Sequence, residues 1–327
     1  MNLPILVCGF NRPENISKLL NILETQEIQK VYIHLDGISE GNPLFLQEVK
    51  KTQEICNEFL QRNASWSTFI EKDNLKLRKS MQSAIDWFFE NEEFGLIFED
   101  DCIPIAEFFT YATWAMQFVS KGDVATFSGT RFTPWKSKVA TLSIHNYVWG
   151  WGTSREIWQG SLKSPFEIDF NFVERNLLRL GIRNSKTIDF WRRIHIAQKF
   201  SLDPNLMEIS GYSRKAFPQA FIESTNESWD YTFVLSLLSG HNSDGGLWSL
   251  RPPTNLVRNI GFGGNATHFK GESNSLERPT RSSNELKFKN KFSRTSEFYE
   301  SVLVFGLAQE SFRKKFTVAD SMIKRIL

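Results

Sequence analysis

The sequence predicts an α/β fold in which a mainly parallel β-sheet is covered by helices on both faces. The chain has 327 residues, which at roughly 100 to 200 residues per domain allows one large domain or two. Its 41% hydrophobic and 23% charged residues are typical of a globular protein and exclude a disordered or collagen-like chain. Over residues 1–130, short apolar runs alternate with helical patterns, as expected for βαβ units.

The elements of this alternation can be assigned in order. Short apolar runs predict five buried strands, at residues 3–8, 31–35, 66–70, 95–98 and 124–128. Helical spacing of apolar residues predicts four intervening helices, at residues 14–23, 45–60, 80–89 and 108–119. Ligands of such sheets bind outside the carboxyl ends of the strands. The residues that follow each strand are therefore the candidates for function.

The later part of the chain has a different character. Residues 146–158 are rich in Trp and Gly, residues 226–238 have the pattern of a capped helix, and residues 240–268 are dense in Gly and Pro. This composition is typical of a pocket built from loops. We predict that residues 1–130 and 131–270 are two halves of one domain, followed by a linker and a helical tail at 271–327.

Charge and hydropathy restrict the partners and the compartment. Thirty-nine Lys and Arg against 37 Asp and Glu give a net charge of +2, so we expect no nucleic-acid partner. Without a secretory signal, a transmembrane run or a disulfide framework, the sequence predicts a cytoplasmic protein. Residues 287–327 carry nine Lys or Arg against four Asp or Glu. That basic tail fits a peripheral membrane-surface helix, or a packing helix with a solvated face.

Three adjacent carboxylates, Glu99, Asp100 and Asp101, directly follow the fourth apolar run. Their mutual repulsion requires compensation, and a divalent cation supplies it naturally because hard oxygen ligands suit Mg²⁺ and Mn²⁺. In an extended chain, Glu99 and Asp101 point to one side and Asp100 to the other. We assign Asp101, the deepest into the loop, as the metal ligand. The alternative is an acidic loop that caps the next helix.

Two further polar residues follow the first two predicted strands. Asp36 can accept a hydrogen bond from a uracil or a ribose hydroxyl, or it can form an Asp-Gly turn. Arg12 lies directly before Pro13, which opens a helix. There, a guanidinium and the helix N–H groups can bind a diphosphate, although an ordinary surface arginine is the alternative.

Taken together, these motifs resemble those of the GT-A glycosyltransferases, most closely the family of N-acetylglucosaminyltransferase I and its bacterial relatives. The resemblance covers about residues 3–268 and implies the GT-A (Rossmann-like) fold of nucleotide-diphospho-sugar transferases. It rests on residues 4–13, Leu35-Asp36-Gly37, residues 97–101 followed by Phe108-Phe109, residues 149–158, Ser228-Trp229-Asp230 and residues 255–268.

The resemblance implies a metal-dependent, inverting glycosyltransferase that uses Mn²⁺ or Mg²⁺. It would move a sugar from a nucleoside diphosphate sugar, a UDP-sugar by the resemblance, to a hydroxyl of a glycan or lipid-linked acceptor in bacterial surface polysaccharide synthesis. Residues 1–130 would bind the nucleotide sugar, and residues 131–270 the acceptor and the donor sugar. By the same resemblance Arg12 and Asp36 contact uridine diphosphate, and Asp101 binds the metal.

Further roles carry over residue by residue. The resemblance implies that Asp100 meets the ribose and that Glu99 faces the donor sugar. It also implies that Asp230 is the general base and that Trp229 packs beside the sugar. Asp230 falls in the first turn of the helix predicted at 226–238, where a carboxylate stays ionised. A helix-start aspartate with only a dipole role is the alternative.

Several interpretations stay open on the sequence alone. Trp149 fits a ring stacked on a sugar, or core packing beside a glycine turn. His268 fits a ligand-loop residue near the metal or a phosphate, or a histidine bonded to its own loop. The eukaryotic enzymes have a His-Tyr pair where this chain has Arg78-Lys79. Two other functions remain, a catalytically inert sugar-nucleotide or glycan-binding module and a sugar-phosphate nucleotidyltransferase. The latter would need a Gly-rich, lysine-bearing first loop, which residues 9–15 lack.

Overall fold

The computed structural model describes residues 3–38, 43–131, 137, 139–161, 163–213, 215–240, 248–261, 280 and 293–294. His268 lies outside the described residues, and so does the predicted tail at 271–327 apart from residues 280 and 293–294. The chain forms two compact units. The first comprises Met1–Phe132, Ser137–Gln159 and Gly245–Ser293, and the second comprises Thr133–Lys136, Gly160–Asp244 and Arg294–Leu327. The predicted boundaries at residues 130 and 270 stay a prediction.

Among the described residues, the first unit contains the β-strands and five helices, of which the last strand and the last helix each end one residue beyond it. Its helices are α1 (Pro13–Thr25), α2 (Pro43–Arg62), α3 (Lys76–Asn91), α4 (Ala106–Val119) and α5 (Arg155–Gly160). The strands are β1 (Ile5–Gly9), β2 (Val31–Leu35), β3 (Ser67–Ile70), β4 (Phe94–Glu99), β5 (Cys102–Pro104), β6 (Thr126–Ser128), β7 (Thr141–Ser143), β8 (Trp151–Ser154), β9 (Ser249–Arg251), β10 (Val257–Asn259) and β11 (Ser293–Arg294).

Nine of these strands form one sheet, in the order β11-β7-β9-β6-β8-β4-β1-β2-β3, and β10 pairs with β5. Strand β1 is parallel to β2 and β4, β2 is parallel to β3, and β6 is parallel to β9. Strand β8 is antiparallel to β4 and β6, and β7 is antiparallel to β9. The predicted α/β class is confirmed, and the five strands and four helices predicted for residues 1–130 are all present.

The sequence pattern explains how the first βα unit forms. Residues 5–7 of β1 are fully buried, as expected for a parallel strand that has layers packed on both faces. Helix α1 begins with Pro13 at its first position, where the missing N–H costs no hydrogen bond. Its buried residues Ile16, Leu19, Leu20 and Leu23 recur at helical spacing and form one apolar face. This packing fixes Arg12 between the carboxyl end of β1 and the amino end of α1.

Close packing in the central strands depends on glycine. Gly95 in β4 is paired with Thr153 of β8. A Cβ atom added at Gly95 would overlap the ring of Phe88 from α3 and come within 2.9 Å of the Pro4 carbonyl oxygen. The absence of a side chain at Gly95 therefore lets α3 lie directly on the sheet.

We expect Gly95→Ala to lower the free energy of unfolding by about 1–3 kcal/mol, because the added methyl group must displace Phe88 or the backbone. Urea denaturation followed by fluorescence measures this loss. The matched control is Gly160→Ala, since no atom lies within 4 Å of an added Cβ at Gly160. A loss in Gly95→Ala no larger than that of the control would contradict this packing.

The described part of the second unit contains five further helices. They are α6 (Phe170–Arg179), α7 (Ser185–Leu202), α8 (Asn205–Ile209), α9 (Gln219–Glu227) and α10 (Trp229–Leu238). The single helix predicted at 226–238 is wrong at its start, because α9 ends at Glu227 and α10 begins after Ser228. The predicted position of Asp230 in the first turn of that helix is confirmed. Among the described residues, no helix has the length and apolarity needed to cross a bilayer.

Candidate functional site

The acidic triplet lies where β4 ends. Glu99 is the last residue of the strand, and Asp100 and Asp101 form a turn before β5. The backbone N–H of Asp100 donates to the carbonyl of Cys8 at 2.9 Å, which ties the turn to the carboxyl end of β1. Because the chain turns here, the strand alternation stops. The expectation that Asp100 points away from Asp101 is therefore wrong.

Both aspartates of the turn bind the same cation, the Arg12 guanidinium. Arg12 Nη1 lies 3.1 Å from Asp100 Oδ1 and 2.8 Å from Asp101 Oδ2. The two carboxylates are buried, whereas 23% of the Arg12 side chain is exposed to solvent. The structure thus brings together three residues that the sequence analysis selected, and one positive group lies between the two carboxylates.

Asp101 is also held from the opposite side by Asn259, the last residue of β10. Asn259 Nδ2 donates to Asp101 Oδ1 at 3.1 Å, and Asn259 Oδ1 accepts from the N–H of Gly261 at 2.8 Å. A Cβ atom at Gly261 would overlap Asp101 Oδ2, so the backbone passes very close to the carboxylate. Asn259 was not predicted as a site residue, because the three-residue strand β10 was not predicted. A polar residue just before the glycine-rich segment was the available signal.

Burial and like charge determine the electrostatics of the turn. Burial, followed by the charge of Asp101, raises the pKa of Asp100 to about 7, although Arg12 opposes the shift. Burial alone would lower the pKa of Arg12, but Asp100 and Asp101 raise it overall. The nearby thiols of Cys8 and Cys102 have raised pKa values, first through burial and then through the acidic neighbours. Both thiols are free and buried. The site is therefore a strongly acidic turn that a neighbouring cation stabilises.

Asp36 lies at the carboxyl end of β2, next to β1 in the sheet. Its Oδ1 accepts from the N–H groups of Gly37 and Leu75, each at 2.9 Å. These bonds form the Asp-Gly turn that the sequence allowed, and they also anchor the start of α3. Burial raises the pKa of Asp36 despite both bonds. A contact with a nucleotide stays a prediction for Asp36.

A buried polar group that the sequence analysis missed lies beside Asp36. His34 Nε2 is 3.1 Å from Glu71 Oε1, which also accepts a hydrogen bond from Ser83 Oγ. Burial lowers the pKa of His34, although Glu71 opposes the shift. His34 is a buried residue of β2, and Glu71 directly follows β3. Their contact depends on the pairing of β2 with β3, which the sequence alone does not reveal.

The structure separates the two tryptophans of the Trp-Gly motif. Trp151 is fully buried in β8 and belongs to the core. Trp149 is partly exposed and precedes Gly150, whose φ of +59° favours glycine. The carbonyl of Trp149 accepts from Thr130 Oγ1 at 3.1 Å. Trp149 is the tryptophan of this pair that retains exposed surface for a ligand.

Trp229 and Asp230 belong to the second unit. Trp229 is buried at the start of α10, and Asp230 is partly buried in the first turn. Burial raises the pKa of Asp230 to about 6, although hydrogen bonds from the backbone N–H groups of Tyr231 and of Asp230 itself lower it. A carboxylate with this pKa is mostly ionised at neutral pH and is a better proton acceptor than an ordinary aspartate. These properties fit a general base.

The donor set of the acidic turn fits a hard divalent cation. Among the described residues, no group of three or more His, Cys, Asp or Glu side chains is arranged to hold a metal ion. Mg²⁺, however, is typically held by one or two carboxylates together with substrate phosphates. Asp100 and Asp101 supply two carboxylates that already share a cation, the Arg12 guanidinium. The remaining ligands would have to come from a diphosphate and water.

No protein-family model matches the sequence, and no curated protein sequence matches it. Solved structures with similarity include the mannosyltransferase PcManGT from Pyrobaculum calidifontis in complex with GDP-Man and Mn²⁺, with 12% identity over 72% of this chain and 74% of that chain and a TM-score of 0.38. A cytidylyltransferase from Leptospira borgpetersenii has 12% identity over 49% of this chain and 63% of that chain, with a TM-score of 0.33. HddC from Yersinia pseudotuberculosis has 9% identity over 48% of this chain and 79% of that chain, with a TM-score of 0.29.

The chain spans less than two thirds of the Leptospira protein that it matches. At these identities and TM-scores, the similarities identify neither a family nor a substrate for this chain.

We expect Asp230→Asn to stabilise the protein above pH 6 and to have little effect near pH 4. The carboxyl group has a pKa of about 4 in the unfolded chain and about 6 in the folded protein, so its cost to stability grows between these pH values and is constant above pH 6, whereas Asn is always neutral. At pH 4 the carboxyl group is largely protonated in the folded protein, so the difference fades. We expect a gain on the order of 2 kcal/mol at pH 8, since one pKa unit corresponds to about 1.4 kcal/mol.

Chemical denaturation at pH 4, 6 and 8 measures this difference. Asp189→Asn at an exposed position of α7 is the matched control in the same unit. A constant effect of Asp230→Asn across the three pH values would contradict the raised pKa.

Proposed function

We propose that the protein is a glycosyltransferase that moves a sugar from a nucleoside diphosphate sugar to a hydroxyl group of a glycan or lipid-linked acceptor. The observation that carries the proposal is the juxtaposition of a buried carboxylate pair with Arg12 at the carboxyl ends of β1 and β4. Ligands of parallel α/β sheets bind at this edge.

The charges at this edge suit a diphosphate with its cation. Arg12 precedes α1, and its carbonyl accepts from the N–H groups of Asn15 and Ile16, so the first turn of α1 starts at the guanidinium-bearing residue. A helix amino end and an arginine both attract phosphate. The carboxylates of Asp100 and Asp101 attract a cation. A diphosphate and a divalent cation together satisfy both halves of the site.

The residues of the first unit then have separate roles. Asp101, with Asp100 beside it, would hold Mn²⁺ or Mg²⁺. A divalent cation bound there would neutralise the charge of the departing diphosphate. Arg12 binds the diphosphate, and Asp36 at the end of β2 binds the base or ribose of a uridine nucleotide. Glu99 and the exposed surface of Trp149 face the donor sugar.

Asp230 is the proposed general base, with Trp229 beside the sugar. It removes the proton of the acceptor hydroxyl as that oxygen forms a bond to the anomeric carbon and the bond to the diphosphate breaks. One direct displacement inverts the configuration, so an α-linked donor gives a β-linked product. The pKa of about 6 supports this role, because a base near the working pH is mostly deprotonated and still accepts a proton readily.

We expect Asp101→Asn to remove most of the Mn²⁺-dependent affinity for UDP while the protein stays folded. The substitution removes the negative charge that holds the cation and retains an oxygen for the bond from Asn259. Isothermal titration calorimetry with UDP, with Mn²⁺ and with EDTA, measures the effect. Asp123→Asn, in the exposed loop after α4, is the matched control. Equal UDP affinity in Asp101→Asn and wild type would exclude Asp101 as the metal ligand.

We expect Asp230→Asn to retain UDP affinity and to lose turnover by about 10² to 10⁴-fold, the usual contribution of general-base catalysis. Initial rates with the UDP-sugar and acceptor that wild type uses measure the loss, and NMR of the product gives the anomeric configuration. Full activity in this variant, or retained configuration, would overturn the proposed mechanism. Wild-type protein that binds UDP-sugars and transfers none of them would favour the binding module.

A further inference from the structure

The two carboxylate oxygens of Asp101 are held in different ways. Oδ1 accepts from Asn259 Nδ2 at 3.1 Å and lies 3.5 Å from Cys102 Sγ. Both of these partners are buried, and they face each other across the β5–β10 pair. Oδ2 is bound by Arg12 Nη1 at 2.8 Å, at the end of a long, partly exposed side chain.

This asymmetry decides which partner can leave. Asn259 is short, lies in a strand and also accepts the N–H of Gly261 at its own Oδ1, so two hydrogen bonds have to break before its amide can move. Arg12 has several rotatable bonds and 23% side-chain exposure, so its guanidinium can reorient without unfolding α1. Ligand exchange is therefore expected at Oδ2, while Asn259 keeps the carboxylate oriented.

Arg12 and a divalent cation cannot both bind Asp101 Oδ2 in the observed way. Both groups are positive and repel each other at one oxygen, and the Gly261 backbone already lies against Oδ2 and leaves little room for both. When a diphosphate binds, it offers the guanidinium another anionic partner, because arginine binds phosphate strongly. Arg12 thus opposes binding of the cation alone and favours binding of the cation with a diphosphate.

We propose that Arg12 is an exchangeable internal counter-ion. It neutralises the acidic turn in the metal-free protein, and it leaves Asp101 for the diphosphate when a divalent cation and a nucleoside diphosphate bind together. This inference rests on the proposed function and adds a specific consequence. The cation and the nucleotide bind cooperatively through Arg12, and each raises the affinity for the other by the same factor.

The test is the substitution Arg12→Met in the full chain, measured by titration calorimetry with MnCl₂ alone and then with UDP at saturating MnCl₂. We expect Mn²⁺ alone to bind roughly tenfold more tightly than in wild type, because its competitor is gone. We expect UDP to bind at least roughly tenfold more weakly, because a charged hydrogen-bond donor to the diphosphate is lost. An ion pair with only a structural role would not change the two affinities in opposite directions.

Arg62→Met is the matched control, since Arg62 forms an exposed ion pair with Glu24 on α1. We expect it to change neither affinity. Suppose that wild type binds UDP with Mn²⁺. If Arg12→Met then binds Mn²⁺ alone no more tightly than wild type does, the exchange is overturned and the proposed function stays intact. Wild type that binds UDP with no cation present or added would contradict the proposed function as well.

A measurement on wild type keeps the inference testable if Arg12→Met does not fold. The ¹⁵Nε–¹Hε NMR signal of Arg12, assigned with an Arg12→Lys variant, reports the partner of the guanidinium. We expect this signal to shift when Mg²⁺ and UDP are added together at saturation. A signal that stays at its metal-free position under those conditions would show that Arg12 keeps Asp101 and would overturn the proposal.

Discussion

The site depends on the need to compensate two carboxylates buried side by side at the end of β4. Asp100 and Asp101 are both less than a tenth exposed, and the Arg12 guanidinium is bonded to both. Breaking a buried pair by removing one partner is costly because the remaining charge is left uncompensated. A cation stabilises the turn whenever both carboxylates are ionised, and ligand binding can change which cation does so.

The fold supplies this arrangement through parallel strand pairing. Arg12 and Asp101 are 89 positions apart in the chain, but β1 and β4 are neighbours in the sheet, so both carboxyl ends reach the same edge. Strand β10 then brings Asn259 opposite Cys102 from the far end of the sequence. The glycine at 261 allows the backbone to continue past the Asp101 carboxylate. Two distant segments thus converge on the Asp101 side chain.

Much of the first unit was predictable, because each βα step has its own local signal in apolar spacing. The acidic triplet, Arg12 and Asp36 were selected for the same reason, as each directly follows an apolar run. Contacts set by turns and short strands were not predictable. The orientation of Asp100 depends on a turn that ends strand alternation, and Asn259 acts from a strand of three residues. The helices between residues 160 and 227 were not predicted either.

Asp100 and Asp230 illustrate how one physical cause can support two kinds of chemistry. Burial is the largest contribution to both raised pKa values, about 7 and about 6. Asp100, however, faces a second carboxylate and a guanidinium, and the Arg12 guanidinium lowers its pKa more than the backbone N–H of Phe10 does. Asp230 has only N–H groups of the first turn of α10 as the stabilising contributions to its pKa. Those dipoles stabilise the anion without neutralising it, so Asp230 can still accept a proton. The proposed roles, Asp100 toward a cation and Asp230 toward a proton, therefore rest on the different neighbours of the two carboxylates and not on their pKa values, which are both raised.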